Sequence, residues 1–278
     1  MAIINRTQDS FFTSTGTSDV DAALALAREH LAGGADLIDV GGVRAGQEGP
    51  WVDEDAEVAR VLPFLEALRA EHPDVIISLD TWRTPVLAAC AHVGIDLVND
   101  TWAGYDPDLA RAAAEIGAGY VVSHTGGLPP RTDPVNISYG STPEAVVDDV
   151  LSGLDAGARR ALEAGVPADR ILVDPTLDFG KTTRNSLAAL RATDRVVALG
   201  FPVLQAISRK DFVGETLDLP ASERLEGSLA ATAVAAWLGA SVFRTHDVLP
   251  TRRVLDMVAS IRGERPPALA TRGEPTAP

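Results

Sequence analysis

Lysine is nearly missing from this chain. Lys181 and Lys210 are the only lysines among its 24 basic residues, the others being arginines. A sequence that writes its surface cations as Arg keeps Lys where a compact ammonium is needed, although codon bias gives the same skew. Cysteine is scarcer still. Cys90 alone rules out an internal disulfide, and its setting, Val86-Leu87-Ala88-Ala89-Cys90-Ala91, predicts a small core residue. Aromatic residues make up 5% against a hydrophobic total of 46%, so the core has to be built from Ala, Leu and Val. Positive charge is short as well: 39 acidic residues give a net charge of −15 and a pI near 4.7. That balance argues against a nucleic-acid surface or anionic lipid as partner. No run of about 18 apolar residues exists, so no membrane span is expected. The opening Ala2-Ile3-Ile4-Asn5 shows no charged leader followed by an apolar stretch. The expectation is a soluble, cytoplasmic protein.

What the chain does have is rhythm. Ala2-Ile3-Ile4 reads as a strand ending at Asn5, Leu37-Ile38-Asp39-Val40 as the next, and Val75 to Leu79 as a third ending at Asp80. Asp96-Leu97-Val98 ends at Asn99-Asp100, Tyr120-Val121-Val122 at Ser123-His124, and Ile171-Leu172-Val173 at Asp174. Val203 to Ile207 is followed at once by Ser208-Arg209-Lys210, and Ser241-Val242-Phe243 by Arg244-Thr245-His246-Asp247. Helical patterns fill the gaps. Asp19 or Ser18 can cap the first, which Gly33-Gly34 stops. Pro63 falls inside the second and predicts a bend or a later start. Eight strand–helix alternations in about 260 residues, with no linker-like break, predict an α/β fold, a (β/α)8 TIM barrel. One domain spans residues 1–262, and the Pro-rich end, 263–278, is expected to be disordered. A doubly wound sheet is the alternative, but it more often carries a G-x-G-x-x-G loop after the first strand, absent here.

The strands' carboxyl ends hold Asn5, Asp39, Asp80, Asn99, His124, Asp174, Ser208-Arg209-Lys210, Arg244 and His246. In a barrel these converge on one mouth, where such folds place their chemistry. Each has a bland reading: Asp39 as a structural acceptor at the rim, Asp100 and Asp247 as turn residues. Together they mix carboxylates and amides, which suit a flat heterocycle with donors and acceptors, with cations that suit an anion. Lys210, Arg209, Arg244 and His246 are candidates for phosphate oxygens, and planar Arg also stacks on rings. The irregular stretch Thr125 to Tyr139 is long enough to serve a site. Trp82 and Trp102 fall just past Asp80 and Asn99, at the mouth. No Cys or His cluster has structural-zinc spacing, and no G-x-S-x-G is present. A phosphorylated heterocycle is the substrate class these residues indicate.

The set Asp39-Val40-Gly41-Gly42, Ser78-Leu79-Asp80-Thr81, Asn99-Asp100, Asp174-Pro175 with Phe179-Gly180-Lys181, Ser208-Arg209-Lys210 and Arg244-Thr245-His246-Asp247 resembles dihydropteroate synthase. The resemblance runs from Asn5 to about Arg262. It implies a homodimeric TIM-barrel transferase of folate biosynthesis. Such an enzyme joins dihydropterin-methyl diphosphate to para-aminobenzoate and releases diphosphate with Mg²⁺. By the same resemblance Asp80, Asn99, Asp174, Lys210 and Arg244 match pterin-binding positions, with Lys210, Asp174 and Arg244 as the catalytic set. Asn5, Arg44, Arg244 and His246 match the diphosphate site, with Asn5 also at the metal. Phe179 and the position of Asp211 belong to the second-substrate pocket.

Several stretches depart from the family's pattern. Arg6 to Thr15 lacks the Pro and paired Gly of the first loop, and Val43-Arg44-Ala45-Gly46 is a shortened second loop. Thr176 and Asp178 replace two glycines, and Asp211 replaces a Ser. All lie toward the aminobenzoate side. The pattern is similar to a diverged second synthase-like copy found in actinobacteria. The added carboxylates of Asp178 and Asp211 predict poor use of anionic aminobenzoate. The alternative to a synthase is a pterin-binding homologue with a regulatory or subunit role, or with another amine acceptor.

Overall fold

The computed structural model describes residues 1–7, 19–44, 46, 50–132 and 137–272. Residues 8–18, which hold most of the altered first loop, Ala45 of the second loop and the last six residues of the expected tail lie outside the described residues. Regular structure begins with β1 (Ala2–Asn5), α1 (Val20–Ala32), β2 (Leu37–Gly41), α2 (Glu54–Glu71) and β3 (Ile76–Asp80). It continues through α3 (Thr84–Cys90), β4 (Leu97–Asp100), α4 (Leu109–Glu115), β5 (Gly119–Ser123), α5 (Pro143–Glu163) and β6 (Ile171–Asp174). The last part contains α6 (Thr183–Arg191), α7 (Thr193–Val197), β7 (Leu204–Ala206), α8 (Asp211–Leu217), α9 (Leu225–Trp237), β8 (Val242–Arg244) and α10 (Val248–Ile261).

The strands are parallel and follow chain order. β1 to β6 form one sheet, and β7 pairs with β8. The circle closes at both seams. Val173 N–H donates to Pro202 O at 2.9 Å beside a Val173–Val203 bridge, joining β6 to β7. Ile3 N–H donates to Thr245 O at 3.1 Å beside an Ala2–Thr245 bridge, joining β8 to β1. A closed parallel ring wrapped by helices is the TIM barrel, and the open doubly wound alternative falls.

Two apolar clusters follow from the two faces of the strands. Val98 and Val122 pack outward with helix residues such as Phe64, Leu65 and Leu154. Leu97, Val121 and Leu204 form a second cluster with Leu37, Leu172 and Val242. The two-residue period of a strand puts that second set inside the barrel. Cys90 is buried and unpaired, as its apolar setting predicts, and burial pushes its thiol up to about 12. Helix α2 runs through Pro63 without a break. Pro63 and Ala59, whose carbonyl loses its amide partner to the proline, both stand on the exposed face, where water can serve instead. No helix of the described residues is long and apolar enough to cross a membrane. Residues 263–272 carry no regular element and are exposed.

Candidate functional site

The alternation that builds the barrel interior also sets its chemistry. Leu37, Leu97, Leu172 and Val242 pack inside, so Asp39, Asn99, Asp174 and Arg244, each two residues further along, face the same interior one layer nearer the mouth. That layer is polar. Asp39 is fully buried and accepts from Ser78 Oγ at 2.6 Å, from Asn99 Nδ2 at 3.3 Å and from Arg244 Nε at 2.6 Å. Arg244 reaches on to β3, where Nη2 donates to Asp80 at 2.7 Å, and Thr101 Oγ1 donates to the other Asp80 oxygen at 3.3 Å. Asp39, which reads from sequence as a rim acceptor, is therefore the hub of the interior network. Its partners lie up to 205 residues away, and no local pattern carries that signal.

These contacts fix the charges. Burial pushes the Asp80 carboxyl up to about 7; Arg244 pulls the other way, and the neighbouring Asp39 carboxylate adds to the rise. Burial works against the Arg244 charge, yet the carboxylates of Asp39 and Asp80 hold it above the ordinary guanidinium range. Asp174, buried at the end of β6, accepts from Thr176 N–H at 2.7 Å. Burial raises its pKa, with Lys210 the largest opposing charge. Lys210 Nζ donates to Leu177 O and lies 4.9 Å from the Phe179 ring centre. Burial lowers its pKa, while Asp178 and then Asp174 support its charge.

Nearer the solvent is a cavity of about 350 Å³ whose wall includes Arg44, Trp102, Phe179, Lys210, Arg244 and His246, together with Asp178 and Asp211. Trp102 meets Phe179 edge-on, with ring centres 5.3 Å apart. Trp82 packs on Trp102 at 6.3 Å but opens into a neighbouring cleft with Trp51 and Tyr105, so only Trp102 of the two lines this cavity. His246 donates its backbone N–H to Ser208 Oγ at 3.2 Å. Burial, reinforced by Arg244, lowers its imidazole to about 4, which leaves it neutral at pH 7. Asp80, Asn99 and Asp174 stand below the cavity wall. Asn5 is half-buried at the end of β1 opposite Gly41 and is not on the wall either.

Two of the sequence-indicated cations are already committed. Arg209 also lines the cavity and makes a two-pronged pair with Asp247, both contacts at 2.7 Å. Lys181 is fully buried and donates to the carbonyls of His124, Thr176 and Phe179 at 2.8, 3.2 and 3.0 Å. It ties the turn after β6 to the end of β5 and does not reach the cavity; burial lowers it to about 7. The turn it ties is strained. Thr176 has φ 49° and Asp178 φ 70°, left-handed values that non-glycine residues rarely adopt. Gly180, at φ 63°, admits no side chain at all, since a Cβ would come within 2.1 Å of Thr125 O. Asp211 is on the cavity wall as well. Its side chain is 81% exposed and pairs with Arg224 at 2.7 Å.

A family profile described as pterin binding enzyme matches residues 1–246. The chain belongs to that family. Within it, the inactive dihydropteroate synthase 2 of Mycobacterium leprae is 55% identical over 98% of this chain and 94% of its own. The dihydropteroate synthase of Bacillus subtilis is 36% identical over 93% of this chain and 86% of its own. The structure of Yersinia pestis dihydropteroate synthase with a sulfonamide drug superposes with a TM-score of 0.86, at 32% identity over 95% of this chain and 94% of that one.

Proposed function

We propose that this protein binds a dihydropterin-methyl diphosphate in the barrel mouth and serves pterin-methyl transfer to an amine. The observation that carries the reading is the buried layer of Asp39, Asn99 and Asp174 beneath a cavity edged with cations. A pterin presents a guanidine-like edge of donors and ring acceptors. Asp174 takes the donor edge, Asn99 and Asp80 the rest, and Lys210 meets a ring acceptor. Arg244 lies over the ring face and, with His246 and Arg44, faces the diphosphate. In the transfer, the bond from the methylene carbon to the diphosphate oxygen breaks and diphosphate leaves with the electron pair. The amine nitrogen forms the new bond to that carbon, and its proton departs with the diphosphate. The chain's contribution is electrostatic: preset cations for the leaving anion and carboxylates for the pterin cation.

Magnesium fits as the diphosphate's companion, lowering the leaving group's charge when bound. Such an ion is commonly held by one or two protein oxygens plus substrate phosphates and water. Asp39 and Asp80 are turned to Arg244, and no trio of His, Cys, Asp or Glu gathers as a cage among the described residues. By the family resemblance, Asn5 would be the protein ligand. A cytoplasmic setting, a place in folate biosynthesis and a homodimeric state belong to the same proposal through the family resemblance.

A second reading, pterin binding with little synthase turnover, has a specific observation in its favour. Thr176 and Asp178 hold left-handed backbone without glycine, in the turn that edges the cavity.

The first reading is tested at Asp174. Removing a buried acceptor leaves ligand donors unpaired, at roughly 1–3 kcal/mol or more for a charge-assisted bond. Asp174→Ala is expected to weaken pterin diphosphate binding, by calorimetric titration, by about one to two powers of ten. Unchanged affinity would remove Asp174 from the site and with it the ring orientation proposed here.

A further inference from the structure

One carboxylate on the cavity wall has no task in pterin binding. Asp178 is half-buried beside Phe179 and Lys210. Its left-handed backbone is held from several sides: its N–H donates to Ser186 Oγ at 3.0 Å, and Ser186 Oγ donates back to Asp178 Oδ1 at 3.1 Å. Both carboxylate oxygens share the N–H of Phe212 at 3.3 Å. Among the charges that act on Lys210, that of Asp178 is the largest, ahead of Asp174. The Phe212 amide on this side of the cavity therefore already donates to a carboxylate belonging to the chain, while the Lys210 ammonium donates to Leu177 O. Asp211, the other acid on the wall, turns outward to Arg224.

We propose that Asp178 sets the acceptor's charge: its carboxylate puts a negative charge on the cavity wall and already takes the Phe212 amide, a donor that an anionic acceptor could otherwise use. The pocket then takes a neutral or cationic amine and turns anionic ones away. Phe179 and Trp102 supply flat apolar walls, so the fitting class is an aryl or similarly apolar amine without an acidic group. The proposal rests on the pterin reading above and names the second substrate of that site.

The test separates the two. Dihydropterin-methyl diphosphate is first titrated alone, and its failure to bind would overturn both readings together. Protein saturated with it is then titrated with para-aminobenzoate, para-aminobenzamide and para-aminobenzylamine, three anilines of similar size and different charge, while diphosphate release is followed. The amide and the benzylamine are expected to bind at least roughly tenfold more tightly than the benzoate, a difference of about 1.4 kcal/mol. Asp178→Asn should shrink that ratio by raising benzoate affinity, and Asp211→Asn should shift it less. Asp178→Gly, which suits the left-handed backbone, serves the same purpose if the Asn variant does not fold. Benzoate binding as tight as the amide in the unaltered protein would overturn the assignment, as would a ratio untouched in both Asp178 variants or no binding of any of the three amines. In each of those cases the pterin reading would stand.

Discussion

At the scale of the residue, His246 shows how burial prepares a group for a ligand. Loss of hydration, with Arg244 adding to it, lowers the imidazole to about 4, so it is neutral at pH 7. A folded-state value below the ordinary 6.5 means the unfolded chain takes up the proton first. His246 therefore contributes stability above about pH 6.5 that is lost as pH falls toward 4. A diphosphate beside the ring reverses the balance, because a nearby anion favours the charged form. Binding of pterin diphosphate near pH 5.5 is then expected to take up a proton, whereas binding at pH 7.5 takes up less. Calorimetry in two buffers of different ionisation enthalpy reads the uptake directly. Uptake at pH 5.5 that persists undiminished in His246→Gln would assign the proton elsewhere and separate His246 from the anion.

The same scale shows what sequence can and cannot reveal. Asp80, Asn99, Asp174, Lys210 and Arg244 were all visible as polar groups at strand ends, because a barrel has one mouth and strand ends must meet there. Arg209 stood in the same run as Lys210, but its two-pronged pairing with Asp247 depends on a contact 38 residues away. The left-handed backbone at Arg209 is equally hidden, whereas at Thr176 and Asp178 the two glycines they replace in the resembled family are the signal for such a turn. Asp178 illustrates the consequence: its residue type is plain in the sequence, but its place on the Phe212 amide comes from the turn.

At the scale of the element, strand positions were legible and helix inventory less so. The apolar run Val203 to Ile207 has the pattern of one strand, while regular pairing covers only Leu204–Ala206; Val203 instead makes a single bridge to Val173. The short helices α7 and α8 left no sequence signal, being five and seven residues long, and α8 contains Gly214. Helix α2 is fastened to the loop after β3 by Arg83. Its guanidinium donates to Glu57 Oε2 at 2.7 Å and to Val52 O at 2.8 Å, and lies 4.5 Å from the Trp82 ring centre. Glu57 is fully buried, and burial raises its pKa despite Thr81 and Arg83. Removing one member of a buried pair leaves a charge without compensation, at a cost of about 3–5 kcal/mol. Arg83→Met should lower stability by that order in urea unfolding at pH 7, and adding Glu57→Gln should recover much of it. A single-variant loss below about 1 kcal/mol would show that the pair is as weak as an exposed one.

At the scale of the whole molecule, charge and apolar surface are distributed unevenly. The chain carries a net −15, yet Arg44, Lys210 and Arg244 gather on one cavity wall, so attraction for an anion is local to the mouth. Apolar surface gathers elsewhere. Val234 and Trp237 near the end of α9, and Met257 and Ile261 near the end of α10, are all exposed, Trp237 by 57% and Ile261 by 60%. Arg262 joins the two helix ends, donating to the carbonyls of Ala236 and Trp237 at 2.9 and 3.2 Å. Large exposed apolar side chains on two packed helices fit an association surface, and a two-fold pairing of identical chains is the commonest closed arrangement. This face is the one we assign to the proposed homodimer, on the side of the barrel formed by its last two helices and clear of the residues at the mouth. Sedimentation should then give twice the 29.2 kDa of the single chain. Trp237→Glu would place a charge in the contact and is expected to shift the population to monomers, with the circular dichroism spectrum and pterin affinity retained. A dimer that withstands Trp237→Glu would move the interface to another face, and an unaltered protein that sediments as a monomer would end the homodimer proposal.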